Sequence, residues 1–353
     1  MNNRTRELLI AHYQSYPELE IYDVFKFIFH SAMGCEHLVS DYNVAVDYIK
    51  REYSAMQSPS STLVDRLDGE YSRVHLSYLD RGLSAKTLGK LFCKSAKIME
   101  NGKSEIENKL KIARELTLDG SLPFSIDEFD KAATAWTNKS LCAIHHSEKF
   151  RNHYKPAYRV VANEYVKFLP LFCEIDKLLQ KGSAVVAIEG GAASGKTTLA
   201  KMLEDIYDCI VLHTDDFFLR PEQRTPERLS EIGGNMDRER FLSEVLTPLS
   251  QGKELSYRKF DCSTQQLMPS EVIYPKKLTV IEGSYSMHPS LAKFYDLSVF
   301  LEINPEKQRE RILTRNSPPF ATRFFDEWIP KEREYFSRFG IKESCDICLC
   351  DDA

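Results

Sequence analysis

The 353-residue sequence has no uninterrupted apolar run of 18 or more residues, so it predicts no membrane-spanning helix. Residues 1–7 lack the apolar core of a secretory signal, and we therefore expect a cytoplasmic protein. The nine cysteines are odd in number and lack the spacing of a disulfide framework, which agrees with a reducing compartment. Residues 1–170 carry 23 Lys and Arg against 22 Asp and Glu, and residues 171–353 carry 24 against 30. Neither half is basic enough to predict nucleic acid as the main partner, so a small-molecule enzyme fits better.

The most informative stretch is the glycine-rich segment at residues 189–198. It follows an apolar run at residues 184–188 that predicts a buried parallel strand, and a helical pattern follows it. This context makes the G-x-x-x-x-G-K-[ST] pattern a nucleotide phosphate site, because backbone N–H groups and a helix start both face the phosphates. The Lys196 ammonium would reach the β- and γ-phosphates, and the Thr197 hydroxyl would bind Mg²⁺. The predicted cofactor-binding residues are Gly190, Gly191, Ala192, Ala193, Ser194, Gly195, Lys196, Thr197 and Thr198.

The chain is long enough to favour two domains. Strands and helices alternate from residue 183 onward, which predicts an α/β domain at residues 183–353: a parallel sheet of the P-loop type with flanking helices. The predicted strands cover residues 184–188, 209–213, 278–281, 297–303 and 346–350.

Residues 1–170 predict a mostly helical N-terminal domain of unknown role, with a few short strands that the pattern does not place. Its amphipathic segments cover residues 21–30, 39–53, 84–100 and 104–116. Ser84 and Ser125 are predicted to start helices, the latter with a capping box. Residues 171–182 predict a linker helix between the domains.

Acidic side chains follow two of the predicted strands. Asp215 and Asp216 come after the strand at residues 209–213, and Glu282 follows the strand at residues 278–281. Ligands of open parallel sheets bind beyond the carboxyl ends of the strands. There a carboxylate can hold Mg²⁺, accept a proton or only cap a turn. The neighbouring phosphate loop favours a catalytic role for Asp215.

Five segments, in this order along residues 183–353, resemble motifs of the uridine kinases and their phosphoribulokinase-like relatives. Residues 214–218 resemble the Asp-x-Phe-Tyr segment, residues 233–241 the Asn-x-Asp segment and residues 257–261 the Tyr-x-x-Tyr-Asp-Phe segment. Residues 281–285 resemble the Glu-Gly strand end, and residues 309–316 resemble the arginine-bearing lid. The resemblance implies ATP-dependent phosphoryl transfer, with Mg²⁺, to a hydroxyl of a small metabolite. It implies catalytic roles for Asp215 as general base and for Lys196, Arg311 and Arg315, acceptor binding by Asp237, Tyr257 and Asp261, and Mg²⁺ binding by Thr197 and Glu282.

Two departures from the family pattern concern the acceptor. Residues 261–266 contain no histidine, where nucleoside kinases of this family carry one that contacts the pyrimidine, and Phe218 replaces the tyrosine of Asp-x-Phe-Tyr. Another sugar-like or hydroxylated acceptor is therefore as well supported as uridine or cytidine. A different class of function is a nucleotide-dependent regulatory protein in which the second domain is a slow ATPase switch. Asp215 favours the kinase, because a switch needs no general base for an acceptor.

Four further patterns have alternative interpretations. Residues 34–37 and the histidine-rich residues 145–159 could form a metal site, a polar binding pocket or internal hydrogen bonds of the domain. Cys345-x-x-Cys348-x-Cys350 could begin a zinc or redox site, but apolar cysteines of the last strand are favoured. The aromatic residues of segment 324–336 could stack on an acceptor ring, although packing of a helix is favoured.

Overall fold

A computed structural model describes residues 2–38, 41–57, 59–97, 99 and 101–350. The chain forms two compact units, Met1–Cys173 and Glu174–Ala353, called unit 1 and unit 2 below. The division between them falls inside the helix Leu169–Lys181, which contains most of the predicted linker. Among the described residues, no helix is both long enough and apolar enough to cross a membrane.

Unit 1 is mostly helical. Its α-helices are α1 (Asn2–Ser15), α2 (Ile21–Met33), α3 (Tyr42–Ala55), α4 (Ala85–Lys94), α5 (Gly102–Leu118), α6 (Ile126–Asn138), α7 (Glu148–Tyr154) and α8 (Asn163–Val166). Short 3₁₀ helices cover Glu36–Leu38 and Leu76–Arg81. The strands are β1 (Val64–Arg66), β2 (Tyr71–His75) and β3 (Tyr158–Ala162).

The predicted amphipathic segments of unit 1 overlap α2, α3, α4 and α5, whereas Val39 and Glu100 lie outside the described residues. The Ser84 hydroxyl accepts a hydrogen bond from the Thr87 N–H at 3.0 Å, as its predicted helix start requires. Ser125 precedes α6, but its side chain makes no capping hydrogen bond, so the predicted capping box was wrong.

The small sheet of unit 1 is antiparallel, with β2 between β1 and β3. All five residues of β2 are buried, although three of them are polar. Arg73 lies in the middle of this strand, opposite Val160 of β3. An aromatic core surrounds the sheet, and within it the Phe25 and Trp136 rings stack with centroids 5.0 Å apart.

The helix Leu169–Lys181 is α9, and the remaining helices belong to unit 2. They are α10 (Lys196–Ile206), α11 (Pro226–Ser230), α12 (Arg238–Phe241), α13 (Thr247–Ser250), α14 (Pro305–Arg315), α15 (Pro318–Arg323), α16 (Ile329–Phe339) and α17 (Ile341–Ser344). Short 3₁₀ helices cover Thr214–Phe217, Pro221–Gln223 and Ala292–Phe294, and π-helical turns cover Leu242–Leu246 and Phe324–Trp328. The strands are β4 (Ala184–Gly190), β5 (Cys209–His213), β6 (Leu255–Tyr257), β7 (Phe260–Asp261), β8 (Gln266–Leu267), β9 (Glu271–Ile273), β10 (Leu278–Glu282), β11 (Leu297–Glu302) and β12 (Ile347–Cys350).

The main sheet of unit 2 has five parallel strands in the order β12-β11-β4-β10-β5. This arrangement confirms the predicted α/β fold, and each of its strands overlaps a predicted one. The central strands are apolar because helices cover both faces of a parallel sheet. Glu282, the last residue of β10, lies opposite Ile188 of β4 and His213 of β5. The phosphate loop and both acidic strand ends therefore meet at one edge.

Candidate active site

The phosphate loop connects β4 to α10 through backbone that favours glycine. Gly195 has φ +97° and Gly190 has φ +150°. A Cβ atom on Gly190 would lie 2.5 Å from the carbonyl oxygen of Leu301, so this position cannot carry a side chain without displacing β11. Lys196 Nζ donates hydrogen bonds to the carbonyl oxygens of Gly190 (2.7 Å) and Gly191 (3.0 Å). The lysine ammonium thus lies against the loop, where the phosphates of a nucleotide would compete for it.

Side chains from two distant helices hold the loop on its outer side. Glu332 Oε2 of α16 accepts from the Ala192 N–H at 2.8 Å, and Gln308 Nε2 of α14 donates to the Ala192 carbonyl at 2.8 Å. Arg311 Nη1 donates to the Ala193 carbonyl at 3.1 Å. Sequence reasoning missed Glu332 and Gln308, because neither belongs to a motif.

The two predicted arginines have different positions. Arg311 reaches the loop, as described above, whereas Arg315 is the last residue of α14 and is exposed. Within the described part of the chain, the Arg315 side chain makes no hydrogen bond or ion pair. The structure therefore places one of the two arginines at the phosphate loop.

The two predicted Mg²⁺ ligands are in contact with each other. The Thr197 hydroxyl donates to Glu282 Oε1 at 3.1 Å, and His213 Nδ1 lies 2.6 Å from the same oxygen. The hydrogen bond to Glu282 raises the pKa of His213. A hydroxyl and a carboxylate are oxygen ligands of the kind that Mg²⁺ prefers, so this pair fits the cation. Sequence reasoning missed His213, although its place at the end of β5 is a signal.

The two adjacent aspartates after β5 have different surroundings. Burial by the surrounding protein raises the pKa of Asp215, the nearby Lys196 ammonium opposes this shift, and the Glu282 carboxylate adds to it. The Asp215 side chain is nevertheless accessible to solvent. Asp216 is instead half-buried, and its Oδ2 atom is buried without a hydrogen-bond partner. Asp215 is thus the aspartate that an acceptor could reach, and it lies near the phosphate-loop lysine.

Each of the three predicted acceptor-binding residues already has partners within unit 2. Asp237 is buried, and its carboxylate accepts from the Arg240 N–H at 3.1 Å and from Gln223 Nε2 at 2.9 Å. Tyr257 is buried against the Phe217 ring, with centroids 5.1 Å apart.

Asp261 accepts hydrogen bonds from the backbone and hydroxyl of Ser263 at 2.7 Å, and it thereby caps a turn. An acceptor that uses Asp237 would have to open one of that carboxylate's present bonds.

A buried carboxylate that the sequence did not single out lies at the start of the loop. Glu189 Oε2 accepts from the Met287 N–H and from the Tyr335 hydroxyl, each at 3.1 Å. Burial raises its pKa to about 7, against the opposing Lys196 charge and these hydrogen bonds. The carboxyl therefore links the loop to α16 and to the segment after β10.

The structure also shows the surroundings of the cysteine pattern and of the aromatic segment in unit 2. Cys348 and Cys350 belong to β12, which confirms their predicted strand position, but both are exposed, so the apolar surroundings expected of them were wrong. With Glu302 they form a group of potential ligand atoms within 4.8 Å, in which the Lys342 ammonium already pairs with Glu302 at 2.6 Å. In the aromatic segment, the Phe324 ring packs edge-on against Trp328 with centroids 4.5 Å apart.

The polar clusters of unit 1 separate into exposed and buried members. His145 is exposed, whereas His146 is buried and lies within 2.7 Å of both Asp23 Oδ1 and the Tyr158 hydroxyl. Both histidines precede α7. His37 is exposed, and the Glu36 side chain lies outside the described positions. Within the described ranges, no group of three potential ligand residues close enough to hold a metal includes a histidine.

Comparisons with known proteins identify relatives of unit 2. The model of the family "Phosphoribulokinase / Uridine kinase family" matches residues 185–317. Uridine kinase-like protein 4 of Arabidopsis thaliana is 24% identical over 147 residues, which cover 39% of this chain and 31% of that protein. Nicotinamide riboside kinase 1 of Homo sapiens is 33% identical over 154 residues, which cover 40% of this chain and 70% of that protein. A solved structure of a possible uridine kinase from Bacillus stearothermophilus is 20% identical, covers 51% of this chain and 98% of its own, and has a TM-score of 0.39.

The parallel sheet of unit 2 and the phosphate loop between β4 and α10 form a P-loop fold. Through this region, the chain belongs to the phosphoribulokinase / uridine kinase family. It spans about a third of the length of the Arabidopsis relative. The matched region lies entirely within unit 2, so the family match does not extend to unit 1.

Proposed function

We propose that the protein transfers the γ-phosphoryl group of ATP to a hydroxyl of a small metabolite. The observation that supports this proposal most strongly is the convergence of four groups at one edge of the sheet. Lys196 and Thr197 come from the start of α10, Glu282 from the end of β10 and Asp215 from the turn after β5. Phosphoryl transfer requires positioning and charge neutralisation more than covalent chemistry, and these groups supply both.

Each residue has a role that its position supports. The loop amides and Lys196 would hold the β- and γ-phosphates, and Thr197 and Glu282 would hold Mg²⁺, which neutralises phosphate charge when bound. Asp215 would accept the proton of the acceptor hydroxyl as the new O–P bond forms and the bond to ADP breaks. Arg311 would leave the Ala193 carbonyl to contact the transferring group.

We further propose a sugar-type hydroxyl as the acceptor group. The names of two relatives, a uridine kinase-like protein and a nicotinamide riboside kinase, both refer to ribosides. The region for a base differs from the family pattern at Phe218 and at residues 261–266. Burial, and the Asp215 charge after it, raise the pKa of the Cys262 thiol, which supports a position of the turn at residues 261–266 near the proposed base. The base-like part of the acceptor is therefore expected to differ from uracil and cytosine.

A screen of ADP formation tests the proposal. The full chain is incubated with ATP, Mg²⁺ and a panel of nucleosides, sugars and other hydroxylated metabolites, each compared with a reaction without acceptor. We expect one acceptor class to raise turnover well above the basal rate, and Asp215→Asn to remove this increase while ATP binding persists. Slow turnover that no acceptor changes would contradict the proposal and favour the ATPase switch.

A further inference from the structure

Arg73, at the centre of β2 in unit 1, is buried and forms no ion pair with a described residue, although its charge interacts with that of Asp65. Its side chain is 1% exposed, and its guanidinium carbon lies 4.8 Å from the Tyr158 ring centroid and 5.7 Å from that of Phe27. Neither Nε nor Nη2 has a hydrogen-bond partner. Among the described residues, no carboxylate lies within ion-pair distance of this guanidinium. Burial of a charged group destabilises the fold unless hydrogen bonds or an opposite charge compensate it.

The surface residue Arg114 of unit 1 shows which kind of group binds the Nε and Nη2 edge of a guanidinium. Arg114 Nε and Nη2 each donate to a carboxylate oxygen of Asp130 at 2.7 Å, in a bidentate pair on the surface. In Arg73 the same two nitrogens are the unpartnered ones. The geometry that would satisfy them is therefore that of two oxygens on one acidic group, as in a carboxylate or a phosphate.

Two histidines beside Arg73 also have unpartnered nitrogens. Neither ring nitrogen of His30 has a hydrogen-bond partner, nor has Nε2 of His12, and both side chains are buried. Burial, and the Arg73 charge after it, lower the pKa of His30 and lower that of His12 to about 3. Both rings are therefore neutral near pH 7, and each neutral ring can donate one N–H to an oxygen.

The neighbouring acidic residues already have other partners. Asp23 is bound by His146 and the Ser147 hydroxyl, and Asp65 by His75 and the Tyr16 hydroxyl. These carboxylates are thus satisfied without Arg73, and they leave its Nε and Nη2 unpaired.

We propose that unit 1 contains a second ligand site, in which Arg73 binds the oxyanion of a small carboxylate- or phosphate-bearing molecule and His30 and His12 donate to the same group. A divalent metal fits poorly, because the guanidinium would repel it. The His37 ring is exposed, and its centroid lies 6.5 Å from that of His30. The group formed by Arg73, His30 and His12 therefore approaches the surface of unit 1 near His37. This site goes beyond the proposed kinase activity, which needs no residue of unit 1.

Equilibrium dialysis of the full chain with [³²P]phosphate and [¹⁴C]malonate tests this site. Lys196→Ala is present throughout, so that the phosphate loop does not dominate phosphate binding. We expect at least one probe to bind, and Arg73→Lys, which keeps the charge but loses the bidentate edge, to weaken that binding by at least about tenfold. Arg114→Lys is the matched control, and binding should persist in it. Preference for phosphate or for malonate assigns the ligand as phosphoryl-bearing or carboxylate-bearing.

A second variant keeps the test decisive if Arg73→Lys disturbs folding, which circular dichroism and, in a Trp328→Phe background, Trp136 fluorescence would reveal. His30→Phe retains the arginine and a ring of similar shape but removes the imidazole donor, so we expect binding to weaken severalfold. The proposal is overturned if neither probe binds at millimolar concentration. It is equally overturned if the Arg73 and Arg114 variants bind the probes alike.

Discussion

The Thr197 hydroxyl donates a 3.1 Å hydrogen bond to Glu282, and this bond joins the first turn of α10 to the end of β10. His213 holds the same carboxylate oxygen from β5 at 2.6 Å. Two elements that are consecutive in the sequence, α10 and β5, therefore fix a carboxylate of the distant strand β10 beside the phosphate loop. Such preorganisation lowers the cost of binding a cation, because the ligands need little rearrangement.

Glu282→Gln tests whether this carboxylate binds Mg²⁺ during phosphoryl transfer. The amide has nearly the same shape but lacks the charge that attracts Mg²⁺, so we expect phosphoryl transfer to fall by about 10²-fold, with a higher Mg²⁺ concentration needed for half-maximal rate. The measurement is a Mg²⁺ titration of initial rates. Glu334→Gln, an exposed glutamate of α16, is the control, and a Glu282 variant that titrates like this control would contradict the assignment.

The two lid arginines should differ in importance. Arg311 contacts the phosphate loop, whereas Arg315 is exposed at the end of α14. We expect Arg311→Ala to lower kcat/KM for ATP by about 10²- to 10³-fold and Arg315→Ala to lower it by less than about tenfold, because only Arg311 is placed to meet developing phosphoryl charge. Steady-state kinetics of both variants measures this. Equal losses would show instead that α14 moves to bring both arginines to the nucleotide.

Gly283 is predicted to be essential to the geometry of the site. Its φ is +138°, and an added Cβ would lie 2.0 Å from the Thr214 hydroxyl oxygen, in the turn that carries Asp215. We expect Gly283→Ala to destabilise unit 2 by about 3 kcal/mol, the sum of backbone strain and overpacking. Gly252 has φ +65°, and a Cβ added there would have no neighbour within 4 Å. Gly252→Ala should therefore lose only the stability that backbone strain costs, about 1 kcal/mol.

Urea unfolding measures both glycine variants. A Trp136→Phe background leaves Trp328 as the single tryptophan, so its fluorescence reports on unit 2. If the two glycine variants lost the same stability, the close approach to Thr214 would have no energetic consequence.

Glu189 should make the stability of unit 2 depend on pH. Burial raises the pKa of its carboxyl from 4.5 to about 7, so the folded state binds the proton more tightly than the unfolded chain does. The resulting stabilisation is complete below about pH 4.5 and is lost as the pH rises through 7, by up to about 3 kcal/mol. Glu189→Gln cannot titrate, so its stability relative to the wild type should increase over this range. Urea unfolding at several pH values measures the difference, and parallel pH profiles of the two proteins would contradict it.

The sequence predicted what local chemistry determines. The strands of the main sheet are short apolar runs, and the Gly190–Gly195 spacing with Lys196 determines the loop, so both were recognisable without long-range information. Glu332 and Gln308 were not, because they reach Ala192 from helices more than 110 residues away and no motif marks them.

The strands of unit 1 could not be predicted from local patterns in the same way. Strand β2 reads Tyr-Ser-Arg-Val-His, and its polar residues suggest an exposed face, yet all five are buried. Burial of Arg73 depends on rings contributed by α2 and β3, which no pattern within β2 reveals. The strands of this unit were therefore expected but could not be placed, and the cluster around Arg73 could not be predicted.

The most direct test of the kinase assignment follows the label of [γ-³²P]ATP in the full chain with the acceptor panel. We predict that the label appears in a small organic phosphate, and that Lys196→Ala and Asp215→Asn each abolish this product. Label that appears only as inorganic phosphate, at a rate that no acceptor changes, would contradict the account and identify unit 2 as an ATPase.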